Sequence, residues 1–251
     1  MSFVKRVLSS IGVGSATVDT ILFGEQFAPG DTMSGMVMVK GGDVEQQIDD
    51  IYLSIKSTYQ AEEGYGTISL KKLKLAQAFV IGAREKKEFS LSMPLPFYTP
   101  LTMGKTKVWV ETGLDIKSAI DPGDTDYIQV VPGQLISALF DSLNQLGFSL
   151  RKSHTELASY KLRHLAPLMQ EFEFRPSSGT FRGRLDELEV VPILNPGGVQ
   201  LFMEVDRRTN GLGGLFSEAF DLDETRVQFS FGVNDLPNLT DQLYQHINQW
   251  S

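Results

Sequence analysis

The chain has 251 residues, of which 41% are hydrophobic and 10% aromatic, enough to bury a core and too apolar for a disordered chain. It lacks cysteine, which excludes disulfides and thiolate-held metals and fits a reducing compartment. The net charge of −8 is spread over both halves, with 13 basic and 16 acidic residues in 1–131 and 10 and 15 in 132–251, so neither half has the footprint of a nucleic-acid binder.

The N-terminus reads as a short amphipathic helix over residues 2–10, with Phe3, Val4, Val7 and Leu8 on one face. Lys5 and Arg6 interrupt the apolar run that a secretory signal needs, so a cytoplasmic location is expected. Packing of this helix on the protein body is the preferred reading, with a membrane-surface contact as the alternative.

From Ala16 the hydrophobic period changes to two. Val18, Thr20 and Leu22 share a face, and Ala28-Pro29-Gly30-Asp31 is a turn by composition. Strands are predicted over 33–40, 48–59, 67–75, 86–93 and 105–115. Pro94, Pro96 and Pro100 punctuate the segment before the last of these. Asp121 to Asp126 reads as a loop, followed by a short strand over 127–131. Short strands at this spacing, with no long helices between them, predict a sandwich or barrel.

At Pro132-Gly133 the period becomes helical. Leu135, Ile136, Leu139, Phe140, Leu143 and Leu146 form one stripe that Gly147 stops. The change of pattern sets a predicted boundary between a first domain, 1–131, and a second, 132–251, with helices at 134–146 and 238–250. Strands are expected between those helices, over 148–157, 169–174, 185–194, 199–205 and 226–233. The fold class is mainly β, two antiparallel sandwiches with short N-terminal, interdomain and C-terminal helices.

Catalytic and metal motifs are sparse. His154, His164 and His246 have no second His or Glu at metal spacing and read as exposed or packing residues. Gly211-Leu-Gly213-Gly214-Leu-Phe216 lacks the third glycine of a dinucleotide loop, and no nucleophile elbow occurs. Asp121, Asp124 and Asp126 have three readings: plain turn chemistry, a charge contact between domains, or ligands for a hard cation such as calcium. Arg207 and Arg208 read as a solvated basic turn or as the arginines of that interdomain contact. No cofactor is expected.

Pro29-Gly30-Asp31 with Gly35, Val37, Val39 and Gly41-Gly42 resembles the first hairpin of arrestin-like N-domains. Residues 51–59, 91–96 and 109–116 resemble the strands that follow it. Over its whole length the chain is similar to the bacterial sporulation-control protein M family. Residues 10–16, Gly113-Leu-Asp-Ile116 leading to Asp121-Pro122, and Val205-Asp-Arg-Arg208 carry that resemblance. It implies a non-catalytic regulatory scaffold in sporulation or stress-linked development, with regulatory or cell-division proteins of the host as partners. It also implies a charge cluster between domains that opens when a partner binds. A trafficking adaptor and a calcium-dependent ligand-binding module stand as alternatives, and a homodimer stays open.

Overall fold

The computed structural model describes residues 14–116, 121–206 and 226–250. The predicted helix at 2–10, Arg207, Arg208 and the glycine-rich stretch 211–216 lie outside them. The chain is mostly β, in two compact units. Unit 1 comprises residues 1–58, 67–96 and 107–130. Unit 2 comprises 59–66, 97–106 and 131–251, so two short stretches from the first half of the sequence group with the second.

Unit 1 holds the strands β1 (Thr17–Leu22), β2 (Gln26–Phe27), β3 (Thr32–Lys40), β4 (Gln46–Gln60), β5 (Tyr65–Ala76), β6 (Phe79–Ile81), β7 (Lys86–Pro94), β8 (Val108–Ile116) and β9 (Gly123–Val130). The turn joining β4 and β5, with the last residues of β4 and the first of β5, belongs to unit 2. One sheet has the order β1-β3-β7, with Val18 opposite Val39 and Val37 opposite Phe89. In the other, β4 pairs antiparallel with β8 and β8 with β9, while β5 and β6 pair with β4.

Alternation decides what is buried. In β3, Met33, Val37 and Val39 are inside and Thr32, Ser34 and Lys40 are outside. Ile51, Leu53 and Ile55 of β4 and Val108, Val110 and Leu114 of β8 complete the core between the two sheets. The predicted turn at Pro29-Gly30 is present: the Asp31 N–H donates to the Ala28 carbonyl at 3.0 Å, and the Ala28 N–H donates to Asp31 Oδ2 at 2.7 Å.

The start of β9 departs from expectation. Residues 123–126 are not loop but the start of β9, so Asp124 and Asp126 sit within a strand. Aspartate is disfavoured in strands unless a tertiary partner satisfies it, and Asp124 has such partners. No local pattern could reveal them.

Unit 2 opens with α1 (Gln134–Gln145) and continues through β10 (Phe148–Leu157), β11 (Leu168–Pro176), β12 (Glu187–Asn195), β13 (Gly198–Asp206) and β14 (Arg226–Phe231). A 3-10 turn (Val233–Asn238), absent from the sequence reading, leads into α2 (Leu239–Trp250). The strands form an antiparallel meander in sequence order. Ile136, Leu139 and Leu143 of α1 and Leu239, Leu243 and Ile247 of α2 are buried. Phe140 meets Phe172 and Phe174 of β11 edge-on, with centroids 5.0 and 5.7 Å apart. His246 stacks on Phe229 of β14 at 4.7 Å, a packing role.

Gly147 ends α1 as its position predicts. Its φ of +93° is left-handed, and a Cβ there would strike the Ser178 backbone. On the opposite face of the meander, Ala158, Leu162 and Ala166 from the β10–β11 connection pack with Met169, Val191, Ile193 and Phe202. That face therefore has an apolar half beneath a strap and a second half that is charged.

Candidate functional site

Two clusters of polar side chains stand out, one in each unit. In unit 1 a cavity of about 210 Å³ is lined by Tyr52, Glu111, Thr112, Asp121, Asp124 and their neighbours. Tyr52 of β4 lies opposite Gly113 of β8, and its ring occupies the space a Cβ at that position would need. Lys72 Nζ sits 4.3 Å from the centre of the same ring, and Lys56 donates to Glu111 at 2.6 Å. Burial raises the Tyr52 hydroxyl above its ordinary pKa, and the charges of Asp121, Glu111 and Asp115 raise it further.

The structure brings Asp121 and Asp124 to this cavity, while Asp126, opposite Val110, is not among its lining residues. Both carboxylates serve the backbone. Asp121 Oδ1 accepts the Ile116 N–H at 3.0 Å. Asp124 is 5% exposed; its Oδ2 accepts the Thr20 N–H at 2.7 Å, and its Oδ1 accepts the Thr125 N–H at 2.9 Å. Beside it the hydroxyls of Thr20 and Thr112 lie 2.7 Å apart. Asp124 thus ties β1 of one sheet to β9 of the other. Among the described residues no group of three or more His, Cys, Asp or Glu side chains could hold a metal ion.

The second cluster lies on the charged half of the unit 2 meander. Lys152, His154 and Glu156 alternate onto one face of β10, and Glu171, Glu173 and Arg175 onto the same face of β11. Glu173 pairs in register with Glu189 of β12, which pairs with Glu204 of β13. Glu171 is only 2% exposed; its Oε1 lies 3.4 Å from His154 Nε2, and its Oε2 is buried without a hydrogen-bond partner. Glu156 Oε1 is 3.6 Å from the same His154 nitrogen. Arg175 spans Glu173 at 3.6 Å and Glu187 at 3.7 Å.

Electrostatics follow from that crowding. Burial first, then the charges of Glu189, Glu156 and Glu204, push the Glu171 carboxyl up to about 8, with Lys152 opposing. Burial chiefly, and Lys152 next, hold the His154 imidazole below its usual value, although Glu173 pulls the other way. At neutral pH the pair is therefore a carboxylic acid beside a neutral imidazole rather than a salt bridge. Such a group can release a proton near neutrality or accept a cation in the proton's place.

Sequence reasoning placed His154 among the exposed or packing histidines and passed over Glu171. Its side chain is 16% exposed and faces two glutamates. The available signal was the alternation of glutamates in Met169-Gln-Glu-Phe-Glu-Phe174, where Phe172 and Phe174 point to the helices and Glu171 and Glu173 away from them. It tells which face carries charge, but not that histidine and glutamate meet across strands. Arg207 and Arg208 cannot be placed against Asp121, Asp124 and Asp126, because they lie outside the described residues.

No described helix is long and apolar enough to cross a membrane. The family model described as SpoOM protein (Spo0M) matches residues 4–209. The chain is 37% identical, over 253 aligned residues, to the sporulation-control protein spo0M of Bacillus subtilis (strain 168), covering 99% of this chain and 97% of that one. Its structure is similar to the crystal structure of Spo0M, sporulation control protein, from Bacillus subtilis, with a TM-score of 0.86 and 35% identity. That match covers 95% of this chain and all of the other. With near-complete coverage in both directions, and the fold agreeing with the sequence, the chain belongs to the Spo0M family.

Proposed function

We propose that this protein is a non-catalytic regulator of sporulation that acts in the cytoplasm by binding other proteins. The observation that carries the reading is similarity over almost the whole length to a protein named for sporulation control. The chemistry of the two clusters is compatible with it. Asp121 and Asp124 accept backbone N–H groups, and Glu171 meets the His154 imidazole at 3.4 Å. Regulatory or division-linked proteins are the expected partners, and the excess of acid favours partners with basic segments.

The test is capture in the native host. The tagged protein is cross-linked during entry into sporulation, alongside a deletion strain scored for spore yield. Recovery of defined regulatory proteins, with altered spore yield on deletion, is the expected result. Background proteins alone at adequate expression, together with unchanged spore yield, would refute the reading.

A further inference from the structure

We propose that the connection between β10 and β11, residues 158–166, is a strap that Glu171 keeps closed only while it carries its proton. Ionisation of this one carboxyl lifts the strap and bares the apolar floor beneath it.

Position is the first observation. Glu171 stands two residues from Met169 on the same face of β11, and Met169 packs under the strap with Ala158, Leu162 and Ala166. Exposure along that face shows where the cover lies. Met169 and Glu171 are each 2% exposed, whereas the side chains of Glu173 and Arg175, the next two on the face, are 19% and 54% exposed. The same fall runs along β12, where Ile193 and Val191 belong to the strap's apolar cluster and Glu187 is partly open. Glu171 is therefore the last covered residue of its strand, at the seam between the apolar floor and the charged half.

The second observation is what the closed strap leaves unmet. Glu171 Oε2 and, in the strap itself, Ser159 Oγ are buried without a hydrogen-bond partner. A neutral carboxylic acid tolerates that position far better than a carboxylate, which loses water at one oxygen and gains no donor in its place. The hydrogen bonds that shape the strap are internal to it. Leu162 and Arg163 donate their N–H groups to the Ser159 carbonyl at 2.9 and 3.1 Å, and Leu165 donates to the Leu162 carbonyl at 2.8 Å. Lifting the strap breaks none of these. It gives up the apolar contact of Leu162 and Ala166 with the floor, and it returns water to Glu171.

The surrounding charges set the direction. Burial first, then Glu189, Glu156 and Glu204, favour the proton on Glu171, and Lys152 opposes it. Glu173, Arg175 and Glu187 lie further along the same face, and the strap carries Lys161, Arg163 and His164. His154, held below its ordinary value, is mainly neutral from pH 6.5 upward, so its charge stays nearly fixed while Glu171 ionises. The closed-state value of about 8 lies above the ordinary 4.5. Closure tied to the proton is thus complete below about pH 4.5 and weakens as pH rises through about 8.

Hydrogen exchange of the full chain tests this at the amides of Leu162, Arg163, Leu165 and Ala166 and at those of α1. Wild type and Glu171→Gln are compared at equal pH, which cancels the intrinsic pH dependence of exchange. From pH 6.5 to 8 the wild-type strap amides should lose protection relative to the variant by roughly tenfold, while the α1 amides keep theirs. Leu162→Ala, which loosens the strap without touching the carboxyl, should raise strap exchange at both pH values and flatten the pH response. Equal pH slopes in wild type and Glu171→Gln would overturn the proposal. So would α1 amides that fall in step with the strap, or a response in Leu162→Ala as steep as in wild type. If Glu171→Gln fails to fold, the wild-type strap is read against its own α1 amides, whose intrinsic exchange rises equally with pH.

Discussion

Asp124 in unit 1 and Glu171 in unit 2 are both carboxyl groups buried in strands, 5% and 2% exposed, and they behave in opposite ways. Asp124 accepts two backbone N–H groups at 2.7 and 2.9 Å and joins two sheets. Glu171 has an imidazole at 3.4 Å, an orphan oxygen and three glutamates that raise its affinity for a proton. Burial is common to both. What differs is the supply of donors: a carboxylate among N–H groups becomes a structural tie, and one among other carboxylates becomes a proton store.

The largest break in this contrast should come from Asp124→Ala. It leaves the Thr20 N–H buried without an acceptor and removes a charge-assisted bond between β1 and β9. A loss of about 3 kcal/mol is expected in urea unfolding. Asp124→Asn, which keeps one acceptor oxygen, should lose less than half of that. Equal losses would mean that the charge matters more than the hydrogen bond.

Glu171→Gln should move stability the other way, by an amount that grows as pH rises from about 4.5 towards about 8. The folded-state value of about 8 lies above the ordinary one of 4.5. The wild-type carboxyl is therefore at no disadvantage below about pH 4.5, and the stability tied to its proton is lost as pH rises through about 8. The variant should match the wild type at pH 4 and exceed it at pH 8 by on the order of 2 kcal/mol, after discounting for water near the site. Melting curves at the two pH values check this, and a difference that is constant with pH would show that Glu171 titrates normally.

The smallest effect sharpens the comparison from the side of exposure. Lys56 and Glu111 make a short ion pair at 2.6 Å, but their side chains are 27% and 38% exposed. Lys56→Ala should cost no more than about 0.5–1 kcal/mol, and less in high salt. A loss near that of Asp124→Ala would contradict the ranking of buried donors over surface pairs.

Much of the architecture was legible beforehand because it is written in local periodicity. The alternation in β3 and β4 and the apolar stripes of α1 and α2 with Gly147 as the stop were read from spacing, and the turn at Pro29-Gly30 from composition. The resemblance to the Spo0M family came from short structural motifs, and comparison over the full length establishes the membership. The candidate acids were less legible. Asp121 to Asp126 has the composition of a loop, and only the Thr20 N–H, some hundred residues away in sequence, explains why Asp124 sits in a strand.

The sequence by itself determined where the longer strands and both α1 and α2 form and which face of each is apolar, because these depend on neighbours two, three or four residues away. Tertiary structure alone decided that residues 59–66 and 97–106 group with unit 2, that Asp124 binds across two sheets, and that His154 meets Glu171. Those outcomes depend on strand register between distant segments. A one-residue shift in register would turn the same side chains to the opposite face, so no local pattern contains them.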